Sequence, residues 1–182
     1  METFKIDPAH STLGFAVKHM MVTTVRGKFS EFNGIVELPD GGEPTQAAAD
    51  FTIKAASIDT GIGPRDEHLR SADFFDAANH PELTYKSRSI TALGGDRYRA
   101  DGELTMRGVT RPLSLDIELG DRFVDPWGND RVGLSARGKI NRKDWGLNWN
   151  QVLEAGRLVV SDDVRLEIDA ALVHQLAAVE AA

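Results

Sequence analysis

The sequence predicts an all-β protein, an antiparallel sheet curled into a barrel, with a single short helix near residues 64–78. Three observations carry this: apolar and polar residues alternate along most of the chain, turn-forming residues divide the alternating runs, and one segment alone departs from the period of two. Alternation of this kind sends successive side chains to opposite faces of a strand, one face buried and the other wet.

The alternation is strict from Leu113 to Leu119, which reads Leu-Ser-Leu-Asp-Ile-Glu-Leu. Phe51 to Ala55, Leu83 to Lys86, Leu134 to Ile140 and Val164 to Ala170 repeat it. Ser11 to Lys18, with Leu13, Phe15 and Val17 on one face, Gly27 to Leu38, and Arg97 to Met106 complete the set of expected strands. Strands wet on one side belong to antiparallel sheets. The breaks at Pro39–Gly42, Leu93–Asp96, Asp125–Asp130 and Val160–Asp163 are rich in residues that favour turns. Gly27, Gly34, Gly102 and Gly138 fall inside strand patterns, where glycine is expected to mark a bulge or a corner. A sandwich and a barrel both accommodate many short strands with one helix. The barrel is favoured because closure removes the edges that strands this long would otherwise expose.

The exception to the period of two is Pro64 to Asp76, with Pro near its start, Asp66 and Glu67 in the first turn, and Gly63 and His80-Pro81 as punctuation. These are helix-start features. Asp66, Glu67 and Asp73 read as carboxylates complementing the helix dipole, with an acid and base pair as the alternative. No repeat or linker divides the chain, so residues 1–174 form one domain. Residues 175–182, short and Ala-rich, read as a frayed C-terminal tail.

A chain of 182 residues that is 41% hydrophobic and 27% charged can bury a core without staples. Having no cysteine, it has no thiol nucleophile, zinc ribbon or disulfide framework. With 28 Asp and Glu against 21 Lys and Arg, the net charge of −7 argues against nucleic acid as a partner. No apolar run approaches the roughly 18 residues of a membrane span, so no integral membrane segment is expected. Met1 to Asp7 lacks the pattern of a secretory leader, so the expected location is cytoplasmic. Nucleophile-elbow, His-Glu-x-x-His and Walker motifs are missing from the sequence, and Gly61-Ile62-Gly63 reads as a loop. His10, His19, His68, His80 and His174 are not spaced as a short zinc motif. Neither a metal nor a cofactor is expected. Trp145, Leu147 and Trp149 would share one face if extended, serving equally well as core or as the wall of an apolar cavity.

Asp7-Pro8-Ala9-His10-Ser11, followed by Phe15, Val17-Lys18-His19 and Gly27-Lys28-Phe29, resembles the N-terminal signature of the YceI-like, lipocalin-like polyisoprenoid-binding family. The likeness continues through Ser57 to Gly61, Arg65 to Asp76, Gly102 to Pro112 and Ile140 to Leu147, and spans Phe4 to Val173. It implies an eight-stranded lipocalin-like barrel with a helix inserted between strands and a tunnel holding a long isoprenoid or similar lipid. Many members of the family are exported, whereas this chain shows no leader.

The implied function is non-enzymatic binding, sequestration or transport of a long-chain polyisoprenoid, such as a quinone or an isoprenyl phosphate. Expected tunnel-lining residues are Phe15, Val17, Phe29, Phe51, Ile53, Phe74, Phe75, Leu83, Tyr85, Leu104, Met106, Leu113, Leu115, Leu134, Ala136, Trp145, Leu147 and Trp149. Ala49, Ala136, Gly138 and Ala170 are small residues expected to leave space inside. For the lipid head group, the matched motifs offer His19, Arg65, His68 and Arg142. The competing readings are an enzyme of lipid metabolism using Asp66 and His68 in the same tunnel, and a ligand-free stress-associated scaffold. The expected partner is the lipid itself, and a homodimer is left open.

Overall fold

The computed structural model describes residues 1–151 and 159–176. Its strands are β1 (Glu2–Ile6), β2 (Thr12–His19), β3 (Thr23–Phe29), β4 (Phe32–Leu38), β5 (Ala48–Lys54), β6 (Ile58–Asp59), β7 (Glu82–Gly94), β8 (Arg97–Met106), β9 (Val109–Val124), β10 (Asp130–Asn141) and β11 (Val160–Gln175). Helix α1 (Gly63–Arg70) lies between β6 and β7. All pairings are antiparallel, in the ring β1-β4-β5-β7-β8-β9-β10-β11, which β1 closes against β11; β2, β3 and β6 continue outward from β11.

Several of these strands are halves of longer paths. The C-terminal part of β11 pairs with β1, and its N-terminal part with β2, so β1 and β2 occupy one position in the ring in succession. The interruption is the Asp7–Ser11 segment. Asp7 accepts from the Ala9 amide at 3.0 Å to cap a single 3-10 turn, and Asp7 and Ser11 are both stitched to the backbone of Ala171. β3 and β4 stand in the same relation, as do β5 and β6, so the ring has eight strand positions. Gly27 to Leu38, expected as one strand, is therefore split at Ser30 and Glu31, whose backbones bond instead to Ser57 and Lys54.

Two ends of the barrel follow from the strand directions. The β4–β5, β7–β8 and β9–β10 connections and both described chain ends lie at one, here the hairpin end; α1, the 142–150 segment and the β2–β3 and β8–β9 turns lie at the other, the helix end. The helix covers residues 63–70, and the remainder of the expected 64–78 span forms successive turns held by Phe75, Asp76 and Ala77 amides bonded to Leu69, Ser71 and Arg70 carbonyls. The expected tail begins later than 175, because Gln175 still pairs with Thr3; residues 177–182 lie outside those described.

The strand glycines act differently from expectation. Pairing runs without a register shift through Gly27, Gly34 and Gly138, and only Gly102 sits beside a shift, between Ser87 and Ser89. Each instead lies beneath a large side chain. A Cβ on Gly34 would fall 2.0 Å from the Phe51 ring, one on Gly27 2.4 Å from Phe15, one on Gly102 2.7 Å from Tyr85 Cζ, and one on Gly138 2.9 Å from Leu115. Bare backbone lets a ring lie flat against the wall, a device known to support sheets at glycine positions. Space beside Gly138, expected to be free for a ligand, is filled by Leu115.

Replacing Gly34 with Ala should force Phe51 out of its position and destabilise the barrel by roughly 1–3 kcal/mol, the usual cost of overpacking. Chemical denaturation of the variant beside the native protein measures this, and an unchanged midpoint would mean that the ring swings away freely.

Candidate functional site

Inward positions along the strands enclose an apolar cavity of about 490 Å³ that runs from Leu38, Pro44 and Leu119 near the hairpin end to Ile58, Phe74 and Leu147 near the helix end. Among the lining residues only Tyr85, Tyr98, Arg122 and Arg142 carry polar side-chain atoms. Burial pushes the Tyr85 phenol up to about 12, and its hydroxyl donates to the Ala100 carbonyl at 3.3 Å. A 16-residue strand such as β9 extends roughly 50 Å, or roughly 40 Å along the axis at the tilt usual for barrels. The chamber is long and narrow.

Of the expected wall residues, all but Trp145 and Trp149 border this cavity, and of the expected small residues Ala49, Ala136 and Ala170 do, while Gly138 does not. The two tryptophans depart because residues 145–149 are not extended. A 3-10 turn covers Arg142–Trp145, and Gly146 takes a left-handed conformation with φ 79°, which turns the chain. Trp145 is buried with its indole N–H donating to the Leu104 carbonyl at 2.9 Å. Trp149 stacks edge-on against His68, 4.6 Å between ring centroids, and leans on Phe74 at 5.4 Å.

The helix end is organised around Arg142. Arg142 is only 3% exposed, and its guanidinium donates to the carbonyls of Leu147 (2.6 Å), Trp149 (2.8 Å) and Ser161 (3.0 Å). Burial pushes its pKa down, with nearby Asp162 opposing the shift. His68 pairs with Asp73 at 2.7 Å. Arg65 turns to Thr60, donating to its hydroxyl and its carbonyl, both at 2.7 Å. Asp66 accepts from the Thr60 amide and hydroxyl, which ties the 59–61 loop onto α1. Neither Asp66 nor His68 borders the cavity. His19 continues the inward alternation of Phe15 and Val17 at the last position of β2. Of the four expected head-group residues only Arg142 reaches the cavity, and Arg65, His68 and His19 are not gathered around it.

At the hairpin end stands a polar layer that the sequence reading did not single out. Glu2, two residues before the lining Phe4, Asp130, two before Val132, and His174, two after Leu172, continue inward alternations, and Arg122 pairs with Val132. Arg122 donates to Glu2 (2.7 Å) and to Asp130 (2.9 Å from Nε) and lies 5.0 Å from the centroid of the Phe4 ring. His174 is 3.8 Å from Glu2 and 3.5 Å from Asp130, and its ring packs 5.1 Å from that of Phe4. Bonding to Arg122 holds both carboxyls below their ordinary values. The detectable signal was a polar residue at each of three positions where the alternation calls for an apolar one.

Outside the barrel, Arg131 joins Asp7 (2.7 Å) to Asp125 (2.6 Å) and so ties the Asp7–Ser11 interruption to the β9–β10 turn. Among the described residues no cluster of His, Asp or Glu is arranged to hold a metal ion, and no helix is long and apolar enough to cross a membrane.

The fold and the chamber define a class: closed antiparallel barrels built around a lengthwise apolar cavity. Residues 4–172 match the YceI-like domain, and the chain belongs to that family. A UPF0312 protein of Staphylococcus aureus is 36% identical over 171 residues, covering 93% of this chain and 96% of the relative. Among solved structures, a Campylobacter jejuni YceI protein is 27% identical with a TM-score of 0.74, covering 87% of this chain and 90% of its own. Two more distant structures share the fold. BcnA of Burkholderia cenocepacia has a TM-score of 0.79 at 22% identity, covering 91% of this chain and 98% of its own. A polyisoprenoid-binding domain from Saccharophagus degradans, implicated in plant cell wall breakdown, has a TM-score of 0.68 at 18% identity, covering 94% and 98%.

Two expected outcomes test these placements. Arg142→Met should strand the Leu147, Trp149 and Ser161 carbonyls and cost on the order of 1–3 kcal/mol for each acceptor left unsatisfied, read as a large loss of thermal stability. On the acid side, Asp7 is held below its ordinary value chiefly by Arg131. For Asp125, burial pushes the pKa up, but hydrogen bonds from Asn129 and Arg131 outweigh it and hold the carboxyl well below the ordinary range. Carboxyls depressed in the folded state stabilise it above the unfolded pKa of about 4 and cease to do so as the pH falls through the folded values. The melting temperature should therefore be level from neutral pH down to about 5 and fall below about 4, less steeply in Asp125→Asn.

Proposed function

We propose that the protein binds a long-chain isoprenoid or similar lipid inside the barrel without chemically transforming it, and so sequesters or carries it. The observation that supports this most is the cavity itself. Unfilled apolar volume in a protein interior costs about 24 cal/mol per Å³ relative to a filled core, and the chamber holds about 490 Å³ of it. Valine, leucine or phenylalanine at Ala49, Ala136 and Ala170 would reduce that cost, yet small side chains line the chamber at those positions. An apolar chain regains it, at roughly 25 cal/mol per Å² of surface removed from water. Family membership and the likeness to a polyisoprenoid-binding domain point the same way.

The wall proposed for the ligand comprises the inward side chains of all eleven strands, with Phe74 and Leu147 at the helix end. A carrier reading fits a chamber whose polar lining side chains, among the described residues, are two tyrosines and two arginines, with Asp66 and His68 directed elsewhere.

Native mass spectrometry of protein purified from its own host should reveal a retained lipid. Ala136, buried at 3% exposure in the middle of β10, is the site at which to obstruct it: Ala136→Phe should abolish retention at a stability cost of about 1–3 kcal/mol or less. Retention that survives this change undiminished, or recovery of a processed product in place of the lipid, would overturn the reading.

A further inference from the structure

We propose that the layer formed by Glu2, Arg122, Asp130 and His174 is the head-group site of the chamber and that it selects an uncharged, hydrogen-bonding head over an anionic one. This deepens the lipid-binding reading and rests on it. The two ends of the cavity are unequal. At the helix end the lining is apolar, with Ile58, Leu147 and Phe74 buried and Val17, Leu69, Phe75 and Val160 half-buried, and Arg142 is committed to backbone carbonyls; at the hairpin end Leu38, Pro44, Leu119 and Val132 are half-buried beside the exposed, ion-paired Arg122. A head that needs hydrogen-bonding partners finds side chains to supply them at the hairpin end, with its apolar tail directed along the chamber toward the helix end.

What meets it there is a balanced cation. All three guanidinium nitrogens of Arg122 are engaged by carboxylate oxygens, Nε by Asp130, Nη1 by Glu2 and Nη2 by both. Two carboxylates stand against one guanidinium, and His174 faces both carboxylates at 3.5 and 3.8 Å, beyond good hydrogen-bond length. A phosphate, carrying about −1.5 to −2 charges, would have to approach two fixed negative groups and compete with them for the same N–H donors. Repulsion built into a site is an effective means of rejecting a ligand class. An uncharged head bearing a hydroxyl or carbonyl meets no such penalty, finds imidazole nitrogens and carboxylate oxygens to bond, and has the Phe4 and His174 rings to rest on.

The test uses geranylgeraniol and geranylgeranyl monophosphate, identical chains that differ only in the head, competed against a fluorescent lipid probe on the full chain. The native protein should bind the alcohol at least about tenfold more tightly, the scale set by charge juxtaposition in selective sites. In the Glu2→Gln, Asp130→Asn double variant, Arg122 loses its balancing charges, and the preference should shrink by about tenfold or reverse. Equal or tighter phosphate binding by the native protein overturns the proposal whether or not the variant folds. So does an unchanged preference in a folded double variant, or in Asp130→Asn alone if the double variant does not fold. Failure of both probes to bind the native protein refutes the lipid-binding reading itself, and the head-group site with it.

Discussion

Everything in this barrel depends on the pairing of β1 with β11, where Thr3 to Ile6 meet Leu172 to Gln175. That short ladder converts an open sheet into a ring. An open sheet of this size would present two unpaired edges and an apolar face to water, and the inward Phe4, Ile6, Ala170 and Leu172 would have no opposing wall. The Asp7–Ser11 interruption serves the same closure. It allows one run of chain to pair with the C-terminal part of β11 and then with its N-terminal part, and Arg131 fixes the interruption by joining Asp7 to Asp125.

Closure alone makes a core; the chamber arises from where side-chain volume is placed. Aromatic rings pressed against Gly27, Gly34 and Gly102 move bulk outward to the wall, and Ala49, Ala136 and Ala170 withhold it. A barrel of eight strands is about the size at which these choices decide between a filled interior and a ligand site. The two ends are finished differently. Backbone carbonyls gathered by Arg142 and rings stacked on Trp149 border one, and an ion-paired layer around Arg122 borders the other.

Alternation made most of the fold legible. Arg97 to Met106 is the β8 strand, bound for bound, and the segments around Leu113, Leu134 and Val164 lie within longer strands whose ends carry too little apolar signal to be read. The β2–β3 turn was illegible because its central residues, Met20 and Met21, adopt φ of 52° and 59° without any of the residues that ordinarily favour such angles. Trp145 to Trp149 was misjudged because one left-handed glycine defeats the assumption of extension on which face arguments rest. In the site, inward apolar residues were readable from parity, while the contacts of Arg65, His68 and Arg142 were not, since motif membership does not tell a ligand-facing cation from one committed to the backbone.

The ring is joined by residues at opposite extremes of the sequence, Thr3 with Gln175 and Phe4 with His174. Contacts of such long sequence separation carry the greatest loop-closure entropy and form late and slowly. The enclosed interior exists only where Thr3 to Ile6 meet Leu172 to Gln175, so whatever occupies the chamber can do so only once the C-terminal strand is in place. The seam that completes the ring is also what brings the chamber into existence.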